Sequence, residues 1–201
     1  ATDPEGTRLV VAGGDEAVAY GIDATGNERW RFPMPRYKRK GMIRVVFPAD
    51  VEGTGRDVAL FGADNWRYYA LDAAGSERWH YETVHPSTAG CAVDLDGDGK
   101  QETVLGTAYY WWSCVGLDGD FLWRYRTAGG PGANAVAAGD ITGNGTPEIL
   151  FGGADTLVQA VDAKGKSLWN FSTGDEVTAV HCVDADGDGT SEVLRSEEHT
   201  S

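Results

Sequence analysis

Short stretches of alternating apolar and polar residues recur along the chain, and one kind of stretch always carries a tryptophan. An aromatic residue follows each of these tryptophans two positions later, which is the alternation of a β-strand. The tryptophans stand 49, 44 and 46 residues apart, and the pairs are Trp30 with Phe32, Trp79 with Tyr81, Trp123 with Tyr125, and Trp169 with Phe171. This spacing predicts a structural repeat, and we expect its tryptophans to pack between repeats.

The clearest repeat predicts four short strands, at residues 134–139, 149–153, 157–162 and 167–172. An acidic, glycine-rich loop covers 140–148. A four-stranded sheet of this size cannot bury both of its faces alone, so neighbouring repeats must stack, and radial stacking of such sheets is a β-propeller. The predicted fold is therefore all-β, a propeller of four-stranded antiparallel blades whose strands are named A to D in chain order.

The repeats predict a single truncated propeller over residues 1–194. The predicted blades, three complete and two partial, are 36–86, 87–131, 132–176, 7–35 and 177–194. Residues 195–201 interrupt the repeat and resemble the translated start of a sequencing-library adapter, so we expect a non-native tail and a larger native polypeptide. An alternative is that a strand at 177–184 joins the three strands of 7–35 and closes a four-bladed ring.

Acidic loops join strand A to strand B in each repeat. Two of them have carboxylates at loop positions 1, 3, 5 and 9, namely Asp94, Asp96, Asp98 and Glu102, and Asp184, Asp186, Asp188 and Glu192. Alternating carboxylates on a tightly turned loop converge on one hard cation, so we predict a structural Ca²⁺ in each. A weaker version contains Asp140, Asn144 and Glu148. The alternative is that these are ordinary Asp/Gly turns.

Composition narrows the setting and the partners. The formal net charge of −14 argues against a nucleic-acid partner, because phosphate binding needs a basic surface. No apolar run approaches the roughly 18 residues of a spanning helix, so no membrane insertion is predicted. Calcium loops of extracellular modules bind at about 10⁻⁴–10⁻³ M, which indicates an extracellular or periplasmic, secreted protein.

Aromatic and basic residues gather in the connections that the calcium loops leave free. The predicted B–C turns carry Trp66 and the run 109–112, in which strand alternation puts Tyr109 and Trp111 on one side. A D–A connection carries Lys38 and Arg39 within a basic run. Planar rings on a rigid rim stack on sugars or anchor a protein partner. The alternatives are aromatics that fold onto a neighbouring blade and a merely solvated basic loop.

With these residues in view, the chain resembles calcium-loop propeller repeats of the FG-GAP or VCBS type. The resemblance rests on the two DxDGDGxxE loops, on Phe-Gly-Ala at 61–63 and on Phe-Gly-Gly-Ala at 151–154. The second half of each repeat, as at 158–169, is similar to quinoprotein-type (PQQ-like) repeats, but their adjacent cysteine pair is absent and no quinone is expected. The resemblance implies a scaffold, found in adhesion and carbohydrate-associated modules and in some polysaccharide lyases.

These features predict a non-catalytic, calcium-stabilised extracellular binding module for a carbohydrate or protein ligand. We expect its ligand contacts to be Trp66, Tyr109, Trp111, Lys38 and Arg39. One alternative is part of a lyase on uronic-acid polysaccharide, in which Arg39 or Lys38 neutralises a carboxylate and His85 or Tyr109 acts as the base. Another is a structural spacer with Trp66 and Trp111 buried between blades. No nucleophile or metal-hydrolase motif supports catalysis.

Overall fold

Strands β1 to β17 make up the regular secondary structure of the computed structural model, which describes residues 8–197. Blade 1 has β1 (Val10–Gly13), β2 (Val18–Ile22) and β3 (Glu28–Pro33), and blade 2 has β4 (Ile43–Ala49), β5 (Val58–Ala63), β6 (Arg67–Leu71) and β7 (Glu77–Glu82). Blade 3 has β8 (Ser87–Val93), β9 (Glu102–Thr107), β10 (Tyr109–Val115) and β11 (Phe121–Pro131). Blade 4 has β12 (Ala133–Gly139), β13 (Glu148–Gly153), β14 (Leu157–Val161) and β15 (Ser167–Ser172), and blade 5 has β16 (Val177–Val183) and β17 (Glu192–Glu197).

Every sheet is an antiparallel meander in which the strand order follows the chain order. The first strands of blades 2 to 5 pack against one another in series, β4 on β8, β8 on β12 and β12 on β16. This radial arrangement confirms the predicted all-β propeller of four-stranded blades. Among the described residues, no helix has the length and apolarity needed to cross a membrane.

The two ends of the described chain lie in different sheets. Strand β16 pairs with β17, and β1 pairs with β2, so the alternative of a four-bladed ring closed by β16 and blade 1 is wrong for this structure. Strand β17 continues to Glu197 and therefore includes the first residues of the segment that we expect to be a non-native tail. The last four residues of that segment lie outside the described residues, and its origin stays a prediction.

The second strand of each complete blade is buried along its whole length. Strands β5, β9 and β13 have no exposed position, because they are bonded on both edges and covered on both faces by the adjacent blades. This explains why these segments read as continuous apolar runs such as Val-Ala-Leu-Phe rather than as an alternation. Four separate layers of apolar side chains lie between the blades. In one of them the rings of Trp112 and Phe151 are stacked, with their centroids 4.4 Å apart.

The tryptophan of strand D forms the same joint at three successive blade interfaces. Each indole Nε1 donates a hydrogen bond to a carbonyl oxygen in the C–D turn of the next blade: Trp30 to Ala73 at 3.1 Å, Trp79 to Leu117 at 2.9 Å, and Trp123 to Ala163 at 3.0 Å. The expectation that the tryptophans pack between blades is wrong for Trp169, which is 38% exposed, because blade 5 has only two described strands.

Candidate functional site

The two ends of the blades carry different connections. On one end, a cavity of about 570 Å³ is lined by Asp96 and Glu102 of an A–B loop, by Asp118 of a C–D turn and by Lys164 of the next C–D turn. We call this end the metal-loop face. On the other end, B–C turns meet D–A connections, and the rings of Trp66 and His85 lie 5.5 Å apart there. We call this end the ligand face.

One backbone position of the ligand face has a left-handed conformation in four blades. The residues are Ala17, Trp66, Tyr110 and Thr156, with φ between 56° and 70°, and they repeat at the same spacing as the tryptophans. Residues other than glycine pay about 1–2 kcal/mol for this conformation, and bulky ones are uncommon in it. The aromatic residues of blades 2 and 3 therefore stand at a strained position that alanine and threonine hold in blades 1 and 4.

Aromatic rings form a continuous row across the ligand face from blade 2 to blade 3. The ring centroids of Trp66 and His85 are 5.5 Å apart, those of His85 and Tyr109 5.0 Å, and those of Tyr109 and Tyr110 6.3 Å. Tyr109 is 46% and Tyr110 37% exposed, so their rings remain accessible. We call these four residues the aromatic row.

Cations lie over both ends of the aromatic row. Lys38 Nζ is 5.3 Å from the ring centroid of Trp66, and the Arg126 guanidinium is 5.4 Å from that of Tyr110. Arg126 also lies over Trp111, at 5.8 Å, and Arg124 approaches the same ring at 5.6 Å. A positive charge over a ring face is stabilised by the ring quadrupole. This arrangement also places cations beside the exposed aromatic surface of the row.

Buried polar side chains hold the basic D–A connection against this row. The Asp64 carboxylate Oδ1 accepts hydrogen bonds from the backbone nitrogens of Gly41 and Met42, at 2.8 and 2.7 Å. Asn65 Nδ2 donates to the carbonyl oxygen of Pro35 at 2.8 Å. Both ends of the segment that carries Lys38 are thus fixed to the turn that carries Trp66.

The predicted ligand residues are brought together in part. Trp66, Tyr109 and Lys38 belong to the row or contact it, and Trp111 lies beside it under Arg124 and Arg126. Arg39 is exposed, and its carbonyl oxygen accepts from the Tyr37 nitrogen at 3.3 Å. Of the residues in the lyase alternative, His85 and Tyr109 contact each other, and Lys38 rather than Arg39 is the cation that lies over Trp66 beside them.

The aromatic run of blade 3 is not the turn that the sequence predicts. Residues 109–112 begin strand β10, and the link from β9 is the single residue Ala108. A register shift at the left-handed Tyr110 breaks the strand alternation on which the expectation that Tyr109 and Trp111 share one side depends, and that expectation stays a prediction. Both Trp66 and Trp111 are half-buried, whereas the structural-spacer alternative predicts that they are buried between blades.

Sequence reasoning missed Arg124 and Arg126. Both alternate with Trp123 and Tyr125 on β11, and this alternation was the available signal, because residues beside a blade-packing aromatic in a strand face the other way. Arg124 Nη2 also donates to the Tyr81 hydroxyl at 3.1 Å, which holds its side chain across blades 2 and 3.

The carboxylates of two A–B loops converge. One oxygen each of Asp94, Asp96 and Glu102 lies within 4.8 Å of the others, and Asp184, Asp186 and Glu192 repeat the arrangement. Burial raises the pKa of Glu102, and the neighbouring Asp96 and Asp98 raise it further. These oxygens fit a calcium ion, whose ligand distances of 2.3–2.6 Å span such a group.

The fifth-position carboxylates of these loops are bonded within the loop. Asp98 Oδ2 lies 3.1 Å from Lys100 Nζ, and Asp98 Oδ1 accepts from the Lys100 nitrogen at 2.8 Å. Asp188 Oδ1 accepts from the Thr190 nitrogen at 2.7 Å. Within the described residues, neither belongs to a converging carboxylate group.

The third predicted loop is closed by hydrogen bonds. Thr142 Oγ1 and Asn144 Nδ2 donate to Glu148 Oε1 at 3.1 and 3.5 Å, where a cation would otherwise neutralise that oxygen. The Gly145 and Asn144 nitrogens donate to Asp140, and these bonds, led by that of Gly145, lower its pKa. In the Asp140 loop, therefore, the Glu148 oxygen that would face a metal ion has side-chain partners within the loop.

Two family models match the chain. Residues 2–149 match the family PQQ_2, described as outer membrane protein assembly factor BamB, and residues 114–188 match the lambda-carrageenase β-propeller domain. The first match covers more than half of the chain. These matches confirm the predicted propeller repeat, whereas an FG-GAP or VCBS relationship stays a prediction.

Solved structures share the fold at low sequence identity. They include BBS1N in complex with ARL6DN from crystals soaked with mercury (TM-score 0.70, 11% identity) and with lead (0.73, 9%), and Saccharomyces cerevisiae Sqt1 (0.76, 10%). Each match covers 94% of this chain but only 57%, 59% and 53%, respectively, of the other chain. No curated protein matches the chain.

Proposed function

We propose that this chain, which belongs to the PQQ_2 family of the outer membrane protein assembly factor BamB, is a non-catalytic binding propeller that takes an anionic polysaccharide along its ligand face. The aromatic row is the observation that carries this proposal. Exposed rings offer flat apolar surface to the faces of sugar rings, and the flanking cations offer charge to sulfate or carboxylate groups. The polysaccharide lies across blades 2 and 3 and contacts Trp66, Tyr109 and Tyr110.

The charge pattern supports an anionic ligand rather than a neutral one. The whole chain has a formal net charge of −14 and repels polyanions at long range. Lys38 and Arg126 nevertheless flank the row, over Trp66 and Tyr110. The match of residues 114–188 to a lambda-carrageenase propeller supports a sulfated galactan as the first ligand to test.

Glycine substitutions test this function without adding backbone strain. Trp66→Gly and Tyr110→Gly keep the left-handed backbone, which glycine adopts readily, and remove the rings. Electrophoresis through gels containing lambda-carrageenan measures binding as retardation. We expect the wild type to be retarded, and each variant to bind about fivefold more weakly, since one stacked ring contributes about 1 kcal/mol.

Thr156→Gly is the matched control for this experiment. It changes the equivalent position of blade 4, outside the row, and should bind like the wild type. Gels containing a neutral galactan should retard the wild type much less. Equal retardation of the wild type and both ring variants contradicts the proposal, as does an absence of retardation in lambda-carrageenan.

Calcium belongs to the proposal as a structural ion of the metal-loop face. Asp94, Asp96 and Glu102 would hold one ion, and the loop of Asp184 a second, where the ion would offset the mutual repulsion of the converged carboxylates. We infer a periplasmic or extracellular setting, because millimolar calcium is found there and because the family description names an outer-membrane process.

A further inference from the structure

The outer edge of blade 3 carries a second series of rings and cations. Strand β11 is the outer edge strand of its sheet. The Arg124 guanidinium lies 5.6 Å from the ring centroids of both Phe121 and Trp111. The Arg126 guanidinium lies 5.8 Å from that of Trp111 and 5.4 Å from that of Tyr110, where the aromatic row ends. We call this series the rim stripe, and its members are Phe121, Arg124, Trp111 and Arg126.

Blades 1 and 2 pair the basic residue that follows the strand D tryptophan with a glutamate. The pairs are Arg31 with Glu28 and His80 with Glu77, each with 2.7 Å between nitrogen and oxygen. Both glutamates stand two residues before their tryptophan. In blade 3 that position is Phe121, which is 55% exposed, so Arg124 meets a ring where the other blades supply a carboxylate.

A second pair of positions in blade 3 shows the same exchange of a carboxylate for a ring. In blade 2, Arg67 stands opposite Glu82 on the next strand, and their side chains approach to 3.8 Å. The same register in blade 3 puts Trp111 opposite Arg126. Among the described residues, neither Arg124 nor Arg126 has a carboxylate partner. The chain has 31 acidic and 17 basic residues, so two neighbouring cations without such a partner are unusual in it.

The two guanidiniums are thus left for a ligand to neutralise. Both side chains are exposed, and their positions stand about 7 Å apart along β11. Arg124 is already held in place, because its Nε and Nη2 donate to the hydroxyls of Ser113 and Tyr81 at 3.3 and 3.1 Å. A side chain that is held in place loses little freedom when it binds. Sulfate oxygens accept charge-assisted hydrogen bonds from guanidinium groups, so sulfates that repeat along a saccharide satisfy both cations.

We propose that the rim stripe is a second subsite for the polysaccharide, in which Arg124 and Arg126 bind sulfate groups and the rings of Trp111 and Phe121 contact the sugars. This inference rests on the proposed function, because the polysaccharide reaches the rim stripe over Tyr110. Strand β11 rises about 15 Å between Phe121 and Arg126. A saccharide that continues along it therefore makes contacts that a short one, held by the aromatic row, does not make.

Isothermal titration calorimetry of the full chain with two lambda-carrageenan oligosaccharides tests this subsite. A tetrasaccharide is short enough to be held by the aromatic row alone, whereas an octasaccharide also reaches the rim stripe. The wild type should bind the octasaccharide about tenfold more tightly than the tetrasaccharide, since each exposed ion pair contributes up to about fivefold. This advantage should shrink as the salt concentration rises, because salt screens exposed charges.

Two variants remove the free charge of Arg124 in different ways. Arg124→Gln deletes it, and Phe121→Glu restores the glutamate of blades 1 and 2 beside an intact arginine. Each should bind the octasaccharide about three- to fivefold more weakly, with a weaker dependence on salt, and the tetrasaccharide like the wild type. Arg31→Gln is the matched control, because Glu28 already neutralises this arginine at the equivalent position of blade 1. It should bind both oligosaccharides like the wild type.

The tetrasaccharide separates the failure of this subsite from the failure of the proposed function. A wild type that binds the two oligosaccharides equally overturns the rim stripe and leaves the ligand face as proposed. So does a Phe121→Glu variant with wild-type affinity for the octasaccharide, or one that loses equal affinity for both. Binding of neither oligosaccharide contradicts the proposed function and the rim stripe together.

Discussion

The left-handed backbone conformation at the ligand face is required by the hairpin that contains it, and not by the side chain at that position. Their carbonyl oxygens accept a hydrogen bond from the start of the D–A connection: Ala17 from Met34 at 2.8 Å, Trp66 from Thr83 at 2.8 Å, and Thr156 from Thr173 at 2.9 Å. The same conformation is thus required whichever side chain is present. The side chain at this position is free to serve the surface, as Trp66 and Tyr110 do.

Replacing Thr156 by glycine should stabilise the protein. A β-branched residue at φ 60° is strained, and glycine relieves that strain at the cost of some chain entropy. We expect a gain of about 1 kcal/mol, or about 2–4 °C in Tm, in thermal unfolding followed by circular dichroism. Thr178→Gly, on the extended strand β16, should instead lower the Tm, and a loss at both sites would contradict the strain at Thr156.

Asp23 provides a pH-dependent contribution to the stability of blade 1. Its Oδ1 accepts from Thr25 Oγ1 at 2.6 Å and from the nitrogens of Thr25 and Asn27 at 2.9 and 3.0 Å, and these bonds, led by the Thr25 hydroxyl, lower its pKa to about 2. A lowered carboxyl pKa stabilises the fold above the unfolded value near 3.8, and this stability is lost as the pH falls towards 2.

The Asp23→Asn variant tests that contribution, because asparagine keeps an acceptor oxygen but has no charge. Urea unfolding should show the variant to be slightly less stable than the wild type at pH 7, and most of the difference should disappear as the pH falls from about 4 to 2. The effect is small because Asp23 is only partly buried, in a turn at the protein surface. A difference that stays constant across this pH range would show that the charge of Asp23 contributes nothing.

Elements with a periodic apolar pattern were predictable from the sequence, and those set by one backbone angle were not. The strand D tryptophans recur at a regular spacing, so they revealed the blades, and β15 begins and ends where the pattern predicts. The aromatic run of blade 3 was assigned to a turn because a left-handed Tyr110 leaves no mark in sequence periodicity. The aromatic row itself joins residues from two connections and from the start of β10, and its contacts exist only after blades 2 and 3 pack together.

The joint between adjacent blades can be measured with a pair of glycine substitutions. Gly119→Ala and Gly174→Ala impose a side chain on backbones with φ of 78° and 90°, respectively. At Gly119 the new Cβ would lie 2.9 Å from the Trp79 indole, whereas at Gly174 it would meet nothing within 4 Å.

We expect Gly174→Ala to lower the free energy of unfolding by about 1–2 kcal/mol, through the strain of its left-handed backbone alone. Gly119→Ala should lower it by about 1–3 kcal/mol more, because the new Cβ displaces the indole. Chemical unfolding of both variants measures this difference. Equal losses would mean that the turn glycine does not support the joint.

At the scale of the whole molecule, the converging carboxylates and the aromatic row lie at opposite ends of the blades. Both converging groups lie on the metal-loop face, and the aromatic row with its flanking cations lies on the ligand face. A net charge of −14 then does not prevent an anionic ligand from reaching the ligand face, because fields are screened within about 10 Å at 0.1 M salt. The strand order of the repeat already predicts this separation, because it puts the aromatic and basic residues in the connections that the calcium loops leave free.

Calcium should raise the thermal stability of the whole protein. A loop with a Kd of about 10⁻⁴–10⁻³ M gains about 1–3 kcal/mol at 10 mM calcium, because the ion binds the folded state. Asp96→Asn should reduce the rise in Tm, whereas Glu16→Gln, an exposed acid outside the loops, should leave it unchanged. Identical melting curves in calcium and in chelator would reduce the loops to Asp/Gly turns.

Hydrogen–deuterium exchange with and without saturating lambda-carrageenan tests the central claim most directly, because it reports which end of the blades the ligand covers. We predict slower exchange in peptides that contain Trp66, His85 and Tyr109, with unchanged exchange in the A–B loops at 94–101 and 184–191. Protection of the A–B loops, with none along the aromatic row, would contradict the account.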